Sequence, residues 1–210
     1  MGGVIEVKHP LIDHHLTILR DRLTPPALFR QQICRLATLL AYKATEDLLL
    51  KEKRITTPIT EMDGSELAVD IAIVPILRAG LGMVEPMQEL LPAAQVWHLG
   101  MYRDEATATP VEYYCKLPEG RACAVGFVLD PMLATGGSVV SALETLLRWG
   151  CPDLRVLSII ASQPGVERMA REFPQVKVYV AAVDPELNAH KFIVPGLGDA
   201  GDRIFNTPQA

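Results

Sequence analysis

Residues 122–138 read Ala-Cys-Ala-Val-Gly-Phe-Val-Leu-Asp-Pro-Met-Leu-Ala-Thr-Gly-Gly-Ser, an apolar run that reaches one carboxylate, Asp130, and then a loop of small residues. Residues 139–149 follow with the apolar spacing of an amphipathic helix. A strand, an acid, a tight turn and a helix start therefore lie in one line. The first backbone N–H groups of such a helix can bind an anion, and glycines let a phosphate approach closely. The stretch predicts a site for a phosphorylated sugar, with Asp130 beside a sugar hydroxyl or a hydrated metal.

Length and composition fit one globular domain. The chain has 210 residues, 49% of them apolar and 21% charged, which is enough to bury a sizeable core. We therefore expect a single domain over residues 1–210. The formal net charge of −5 gives no basic footprint for nucleic acid, and no apolar run is long enough to cross a bilayer. Any phosphate must then be bound by local groups rather than by the overall charge.

Cysteine usage and the N-terminus favour the cytoplasm. The four cysteines, Cys34, Cys115, Cys123 and Cys151, contain no Cys-x-x-Cys pair, so neither structural zinc nor a disulfide framework is indicated. We expect them to be reduced and to act as small core residues. The first eight residues lack the basic start and long apolar centre of a signal peptide.

The apolar periodicity predicts an α/β fold. Residues 9–23 and 26–50 have helical spacing, with Thr24 expected as the N-cap of the second helix. Residues 55–62 resemble an edge strand because they contain a proline. Buried strands are expected at 71–77, 94–101, 123–129, 156–161 and 176–181, and helices at 82–91, 137–149 and 164–172. Apolar strands that alternate with helices predict a parallel sheet covered on both faces, with ligands beyond the carboxyl ends of its strands.

Residues 188–210 depart from this pattern. They contain Pro195-Gly196-Leu197-Gly198-Asp199-Ala200-Gly201-Asp202-Arg203, which is too rich in glycine to predict regular structure. A long loop inside a compact domain is either functional or disordered, and the apolar residues on both sides favour a held, functional loop. Asp199 and Asp202 can cap turns through their own backbone. The loop's open backbone groups can equally read the edge of a flat pyrimidine, and both roles can hold at once.

A second strand also ends in small residues. Leu77 is followed by Arg78-Ala79-Gly80-Leu81-Gly82, so Arg78 is expected at the sheet edge where Asp130 ends its own strand. An isolated arginine there would be interpreted as a surface residue. Two such turns in one parallel sheet instead favour a phosphate site divided between them.

The third strand runs into a polar excursion. Tyr102-Arg103-Asp104-Glu105 leads through 106–112 to Tyr113-Tyr114-Cys115-Lys116, the pattern of a hairpin with a mobile tip. Such a lid could carry Arg103 over a bound anion and exclude water. From spacing alone, an exposed loop with solvated charges is an equal alternative.

Taken in order, these segments resemble the uracil phosphoribosyltransferases. The matching stretches span nearly the whole chain and are His9-Pro10-Leu11 with Leu19-Arg20-Asp21, 74–83, 102–118, 128–138 and 193–205. The resemblance implies the type I phosphoribosyltransferase fold, an α/β parallel sheet with helices on both faces, a flexible lid and a C-terminal hood that binds the base. It also implies transfer of the 5-phosphoribosyl group from phosphoribosyl pyrophosphate to N1 of uracil, with inversion at C1. The products would be UMP and pyrophosphate, a step of pyrimidine salvage.

The resemblance assigns residues to phosphoribosyl pyrophosphate. The ribose 5-phosphate part would lie on Asp130-Pro131-Met132-Leu133-Ala134-Thr135-Gly136-Gly137-Ser138. Within this stretch, 134–138 would surround the phosphate and Asp130 would bind the ribose hydroxyls. Arg78 and Arg103 would contact the pyrophosphate, and Arg103 is an expected catalytic residue.

The resemblance assigns uracil to the glycine-rich loop. The base would be read by Ile193, Gly198, Asp199 and Ala200, largely through backbone groups. Asp199 would also face the sugar substrate and is the second expected catalytic residue. No general base is assigned, although Asp199 is the candidate by its position in the loop.

Pro131 affects the prediction of how a metal ion is bound. Many type I members carry two adjacent acids where this chain has Asp130-Pro131, and uracil enzymes commonly have the proline. With one carboxylate fewer, magnesium would be held mainly by pyrophosphate and water, so no protein ligand for it is named. Histidine offers no alternative, because the adjacent His14 and His15 diverge by roughly 100° on a helix and the other three have no ligand spacing.

Other functions fit parts of the pattern. An RNA-binding regulator on a similar fold would need a basic face, and a nucleotide kinase would need a Gly-x-x-x-x-Gly-Lys-Ser/Thr loop, which the sequence lacks. A transferase for another base would differ only in contacts that backbone groups make. The resemblance further implies a homo-oligomer, a dimer or larger, and GTP as an effector in some relatives. Neither nucleic acid nor a membrane is expected as a partner.

Overall fold

Helices and strands alternate along most of the chain in the computed structural model, which describes residues 3–103, 110–118, 120 and 122–208, with the backbone alone at 102–103 and 110–112. A 3-10 helix spans Ala79–Met83. The helices are α1 (Pro10–Arg20), α2 (Pro26–Ala44), α3 (Val84–Leu90), α4 (Gly137–Trp149), α5 (Gln163–Glu172) and α6 (Ala200–Phe205). The strands are β1 (Gly3–Glu6), β2 (Leu50–Thr56), β3 (Glu61–Leu67), β4 (Ile71–Leu77), β5 (Gln95–Val96), β6 (Leu99–Arg103), β7 (Pro110–Cys115), β8 (Val125–Leu129), β9 (Met132–Leu133), β10 (Asp153–Ser162), β11 (Lys177–Asp184), β12 (Glu186–Leu187) and β13 (Ile193–Val194).

The central sheet is mostly parallel, which confirms the expected α/β architecture. Its strands lie in the order β1-β11-β10-β8-β4-β6-β7, and β7 runs antiparallel to β6 at one edge. β8 pairs in parallel with β4 on one side and with β10 on the other. Pro75 of β4 lies opposite Leu129 of β8, so the carboxyl ends of these two strands are adjacent. That edge is where ligands bind in open parallel sheets.

Both faces of the sheet are buried. Consecutive residues of β8 belong to different cores, since Phe127 packs with residues of α1, α2 and α3 while Val128 packs with residues of α4 and α5. Both side chains are fully buried. A strand with no exposed face has no reason to alternate apolar and polar residues, which explains its continuous apolar run.

Two elements have the bounds that the periodicity predicts, β4 at 71–77 and α4 at 137–149. Glycines bound α4 at each end: Gly136 is the N-cap with φ 76° and Gly150 the C-cap with φ 101°. The N–H of Gly150 donates to the carbonyl oxygens of Leu146 and Leu147. Left-handed glycine is a common way to end a helix, so the sequence signal at these positions is strong.

The predicted ends of the first two helices are wrong. α1 ends at Arg20 rather than 23, and α2 ends at Ala44 rather than 50. The guanidinium of the buried Arg155 in β10 donates to the carbonyl oxygen of Ala44 at 2.6 Å and to Asp47 at 2.5 Å. This long-range cap satisfies the end of α2, and local periodicity cannot reveal it.

Thr24 is not the N-cap of α2. Pro25 occupies that position, with no side-chain capping bond within the described structure. The hydroxyl of Thr24 instead donates to the carbonyl oxygen of Ile18 at 2.5 Å. The threonine therefore closes the turn after α1 rather than starting α2.

The strand predicted at 55–62 is also wrong. Residues 57–60 form the turn of an antiparallel hairpin between β2 and β3. The hydroxyl of Thr57 accepts from the N–H groups of Ile59 and Thr60, at 3.2 and 3.0 Å. Pro58 therefore lies in a turn that a threonine side chain closes, a role typical of both residues.

Regular structure also occurs in 188–210, where the glycine content predicts none. β13 pairs antiparallel with β12, and α6 begins directly after Asp199. The Asp199 carboxylate accepts from the N–H of Asp202 at 2.9 Å, which caps α6. One capping acid thus offsets the low helix propensity of Gly201.

The cysteines are only partly in the core. Cys123 and Cys151 are buried with their sulfur atoms 2.9 Å apart, whereas Cys34 is half-buried and Cys115 exposed. Only the first two thus fit the expected core role. In the part of the chain that the structure describes, no helix combines the length and apolarity needed to cross a membrane.

Candidate active site

The loop at 131–138 joins β8 to α4 and leaves the start of α4 open. After Asp130 the chain pairs briefly with β10 through β9, and Gly136 then turns into the helix with φ 76°. No side chain of the described residues caps α4. The first N–H groups of a helix carry partial positive charge and need acceptors. This helix start therefore has the features of an anion site.

Two carbonyl oxygens of the 131–138 loop accept hydrogen bonds from the last residue of β10 and from α5. The hydroxyl of Ser162 donates to the carbonyl oxygen of Ala134 at 2.6 Å, and Arg168 donates to that of Thr135 at 3.3 Å. Gly165 makes this close packing possible, because a Cβ there would lie 2.4 Å from the carbonyl oxygen of Ala134. An anion would be repelled by these oxygens, so their hydrogen bonds to Ser162 and Arg168 favour anion binding at the helix start.

Asp130 is the carboxylate beside this loop. It is half-buried, and its Oδ1 accepts from the N–H of Met132 at 3.2 Å. Loss of solvent raises the pKa of Asp130 to about 6, against the smaller opposite effect of that hydrogen bond. Among the described residues its ionised form has one hydrogen-bond donor, the N–H of Met132, which leaves its other acceptor positions open to further donors. Hydroxyl groups of a ligand would supply them.

Arg78 lies at the neighbouring strand end, as the sequence predicts. It follows β4 directly, and its side chain is 60% exposed and reaches within 3.5 Å of an Asp202 carboxylate oxygen. Gly80 lets the two strand ends approach, because a Cβ there would lie 2.4 Å from the carbonyl oxygen of Leu129. The contact between Arg78 and Asp202 in α6 was not predicted, since neither residue's spacing indicates the other.

The loop at 193–200 contains the residues assigned to the base. Ile193 and Ala200 are buried, Asp199 is half-buried and Gly198 is exposed with φ 78°. The Leu77–Arg78 and Val194–Pro195 peptide bonds are cis. Gly198 requires a left-handed backbone that other residues seldom adopt, so its glycine is explained by geometry.

The two loops meet at adjoining cavities. One, of about 220 Å³, is lined by Met132, Ala134, His190, Lys191, Phe192 and Asp199. The other, of about 600 Å³, is lined by Asn188, His190, Phe192, Ile193, Val194, Pro195, Gly198, Asp199 and Asp202. His190, Phe192 and Asp199 line both cavities, and of these three Asp199 belongs to the 193–200 loop. The structure thus brings together predicted residues that are more than fifty positions apart in the chain.

Several of these lining residues were not predicted. Asn188, His190, Lys191 and Phe192 precede the assigned loop, and Lys191 has φ 64°. The carboxamide oxygen of Asn188 accepts from the N–H groups of His190 and Phe192, both at 2.9 Å. An asparagine that closes a turn before an apolar pair is the signal that could have identified this segment.

The remaining predicted residues have these positions. Pro131, Leu133, Gly136 and Gly137 are buried, whereas Met132, Ala134, Thr135 and Ser138 are half-buried. β6 and β7 form the expected antiparallel hairpin, with Arg103 opposite Pro110. The side chain of Arg103 and the tip at 104–109, which carry the predicted lid, lie outside the described residues.

The donor set allows a metal that its substrate brings. Within the described ranges, no three His, Cys, Asp or Glu side chains form a group that could hold a metal ion. Asp130 is the carboxylate on the 131–138 loop. Magnesium commonly keeps several waters and binds one or two carboxylates together with substrate phosphates. A magnesium ion beside Asp130 would therefore need most of its ligands from water or from a bound molecule.

Comparison with known proteins gives one consistent result. A family model described as uracil phosphoribosyltransferase matches residues 6–207. A uracil phosphoribosyltransferase from Agathobacter rectalis is 53% identical over 208 residues, which cover 99% of this chain and 100% of the relative.

Solved structures extend the comparison to the fold. A protein from Aquifex aeolicus gives a TM-score of 0.93 at 36% identity and covers 99% of this chain and 100% of its own. A hypoxanthine phosphoribosyltransferase from Staphylococcus aureus gives a TM-score of 0.52 at 12% identity, covering 75% of this chain and 76% of its own. The second likeness concerns the fold alone, which is the type I phosphoribosyltransferase fold.

Proposed function

This chain belongs to the uracil phosphoribosyltransferase family, and we propose that the site at the carboxyl ends of β4 and β8 performs that family's reaction. The enzyme transfers the 5-phosphoribosyl group from phosphoribosyl pyrophosphate to N1 of uracil. The products are UMP and pyrophosphate, and the reaction is a step of pyrimidine salvage. The observation that carries the assignment of residues is that the 131–138 and 193–200 loops line adjoining cavities, which share Asp199.

We propose that the 131–138 loop and Asp130 hold the ribose 5-phosphate. The open start of α4 supplies N–H donors to the phosphate, and 134–138 surround it. The ionised Asp130 accepts hydrogen bonds from the ribose hydroxyls, which restores the stabilisation that its carboxylate loses through desolvation.

Arg78 and Arg103 are proposed to act on the leaving group. Arg78 directly follows β4, and Arg103 is the last residue of β6. The two strands are neighbours in the sheet, since Leu77 of β4 lies opposite Gly100 of β6. The N1–C1 bond forms as the bond from C1 to the pyrophosphate oxygen breaks, so negative charge builds on pyrophosphate. Two guanidinium groups at this edge would stabilise that charge in a site closed to water.

The base is proposed to lie on the 193–200 loop. Ile193 and Gly198 line the 600 Å³ cavity, Asp199 lines both cavities, and Ala200 follows Asp199 as the first residue of α6. The bond from the Asp202 N–H fixes the orientation of the Asp199 carboxylate. Asp199 is thus the candidate to face N1 of the base and to accept its proton.

Magnesium is proposed as the cofactor, bound mainly through pyrophosphate and water. The single carboxylate at Asp130 and the absence of a three-ligand cluster among the described residues fit that mode of binding. When bound, the ion neutralises negative charge on the departing pyrophosphate.

The test is product formation with a panel of bases. The protein is incubated with phosphoribosyl pyrophosphate, magnesium and uracil, cytosine, hypoxanthine or orotate, and nucleotide products are separated by chromatography. We expect UMP from uracil and little product from the other bases. Conversion of another base without conversion of uracil would overturn the assignment of the base.

We also propose a homo-oligomer, a dimer or larger, in the cytoplasm. Exposed apolar side chains on the β2–β3 hairpin support association, since Ile59 is 94% exposed, Leu50 63% and Met62 45%. Cys34, Cys123 and Cys151 are thiols, which agrees with a reducing compartment. Light scattering after size-exclusion chromatography should give at least twice the chain mass, and a monomer at micromolar concentration would contradict the association.

GTP remains a prediction from the resemblance. We propose that it acts as an effector, and initial rates with and without GTP at subsaturating phosphoribosyl pyrophosphate test this. A rate unchanged across a millimolar range of GTP would contradict it.

A further inference from the structure

An ion pair joins two elements that the assigned site does not include. Arg20 is the last residue of α1, and Asp184 is the last residue of β11. The guanidinium donates to both carboxylate oxygens, at 2.7 and 2.8 Å. The Asp184 side chain is only 6% exposed and that of Arg20 24%. Two parallel charge-assisted bonds fix the relative orientation of both groups.

The same two side chains hold the backbone of Gly196. The N–H of Gly196 donates to Asp184 Oδ2 at 3.0 Å, and Arg20 donates to the carbonyl oxygen of Gly196 at 2.8 Å. Both polar backbone groups of this residue are thus satisfied by one ion pair. Gly196 has φ 64°, and a Cβ there would lie 2.0 Å from the carbonyl oxygen of Ile193.

A second arginine, Arg203, connects Leu197, the residue after Gly196, to the same end of α1. Arg203 of α6 donates to the carbonyl oxygens of Leu197 at 2.7 Å and Leu19 at 2.9 Å. It also donates to that of Asp21 at 2.6 Å, and its guanidinium lies 4.2 Å from the centre of the Phe29 ring. The 193–200 loop is therefore attached to the end of α1 at two consecutive positions.

Arg20 and Asp184 are placed to act through this backbone and not on the base itself. Ile193, Gly198 and Asp199 line the 600 Å³ cavity, and neither Arg20 nor Asp184 belongs to its described lining. Arg20 lines a different cavity, of about 480 Å³, together with Gly196 and Gly198. Gly196 lies between Ile193 and Gly198 in the chain. A base that is read by backbone N–H and C=O groups depends on the positions of those groups to within about 0.5 Å.

We propose that Arg20 and Asp184 are positioning residues that set the affinity of the enzyme for uracil by fixing the backbone of Gly196. The inference rests on the proposed binding of uracil by the 193–200 loop. The ion pair makes no contact with the 131–138 loop in the described structure, so it acts on the base and not on phosphoribosyl pyrophosphate. It gives a role to the Leu19-Arg20-Asp21 segment, to which no substrate was assigned.

The test compares Arg20→Lys and Asp184→Asn with the wild type in two-substrate kinetics. Lysine keeps the charge but cannot form the two-pronged contact, and asparagine keeps the shape but not the charge. We expect either variant to raise the KM for uracil about tenfold while the KM for phosphoribosyl pyrophosphate changes by less than about twofold. The double variant should raise the uracil KM no further than the larger single change, because both residues act on Gly196.

Arg155→Lys is the matched control. Arg155 is buried and paired with Asp153 and Asp47, at the beginning of β10 and away from the strand ends that carry the site. We expect this variant to lower the melting temperature but to leave both KM values unchanged. This control shows whether a change in the uracil KM comes from losing any buried ion pair or only from losing the pair that bonds Gly196.

Amide hydrogen exchange gives a readout that does not depend on activity. In Arg20→Lys and Asp184→Asn, peptides that contain Gly196 and Leu197 should exchange faster than in the wild type, while those of 131–138 should not. Faster exchange without a rise in uracil KM, or an equal rise of both KM values, would overturn the proposal. A wild type that does not convert uracil would instead overturn the proposed function, and the exchange data would still show whether the pair holds the loop.

Discussion

The 131–138 loop and the 193–200 loop meet at the same pair of cavities but are held by different parts of the chain. The first continues from β8 into α4, and its carbonyl oxygens are bonded by Ser162 and Arg168, about thirty residues on. The second is bonded to Arg20, 176 residues before it, and through Arg203 to Leu19, 184 residues away. The loop proposed to bind the phosphate is thus a local motif, whereas the loop proposed to bind the base depends on contacts between the two ends of the chain.

This difference has a functional consequence. Phosphoribosyl pyrophosphate is common to enzymes that differ in their base, so a local strand, loop and helix suffices for it. The base loop has to be positioned for one base, and long-range contacts fix it more firmly than its own glycine-rich sequence can. Variants that disturb one loop should therefore affect one substrate.

Gly196→Ala should have the largest effect. A Cβ at this position would lie 2.0 Å from the carbonyl oxygen of Ile193, and φ 64° disfavours any side chain. Because the loop must shift, we expect kcat/KM for uracil to fall about 100-fold while the KM for phosphoribosyl pyrophosphate stays within about twofold. Steady-state kinetics with each substrate varied measures both. If phosphoribosyl pyrophosphate were affected as strongly, the two loops would not be independent.

Gly165→Ala should instead impair the use of phosphoribosyl pyrophosphate, with a somewhat smaller effect. The new Cβ would lie 2.4 Å from the carbonyl oxygen of Ala134 and 2.8 Å from that of Leu133, without a left-handed backbone to add strain. We expect kcat/KM for phosphoribosyl pyrophosphate to fall about 30-fold with little change in uracil KM. Gly64→Ala serves as the control, since its nearest neighbours lie at an ordinary 3.5 Å. Loss of uracil affinity alone would contradict the assignment of the 131–138 loop.

The pKa of Asp130 predicts a pH dependence for one substrate. Because burial raises it to about 6, lowering the pH through 6 protonates the carboxylate that is proposed to accept from the ribose hydroxyls. We expect kcat/KM for phosphoribosyl pyrophosphate to be about tenfold lower at pH 5 than at pH 7. Asp130→Asn should start lower and lack this decline. The comparison cancels the titration of the substrate itself, and parallel profiles for the two proteins would remove Asp130 from this role.

The raised pKa of Asp130 also predicts that replacing this residue stabilises the fold slightly while it impairs function. The folded-state pKa of about 6 exceeds the ordinary carboxyl value, so ionised Asp130 destabilises the fold above pH 6. The cost decreases as the pH falls through 6 and disappears below about pH 4. Because partial exposure screens it, we expect Asp130→Asn to stabilise the protein by about 2 kcal/mol at pH 7. Thermal unfolding at pH 7 and pH 4 measures this, and an equal gain at both values would show another cause.

Local signals account for what the sequence predicted. The bounds of β4 and α4 follow from continuous burial and from the glycines at 136 and 150. The same kind of signal placed Arg78 and Asp130 at neighbouring strand ends, because parallel strands direct their carboxyl ends to one edge.

Most of the failures involve long-range contacts or side chains that cap helices and close turns. The end of α2 depends on Arg155, which is 111 residues from Ala44. α6 forms in a glycine-rich segment because Asp199 caps it. The contacts of Arg20 and Asp184 with Gly196 join three distant segments, and no spacing in one sequence reveals such a triplet.

One loop is proposed to bind the sugar phosphate and the other the base. This assignment is tested most directly by amide chemical shifts of the ¹⁵N-labelled protein with two ligands. Ribose 5-phosphate carries the sugar phosphate without a base, and UMP adds uracil to it. We predict that ribose 5-phosphate shifts the amides of 134–138, and that UMP shifts these and, in addition, those of 193–200. If the additional shifts with UMP fell elsewhere, or if ribose 5-phosphate alone moved the 193–200 amides as strongly, the assignment of the two loops would be contradicted.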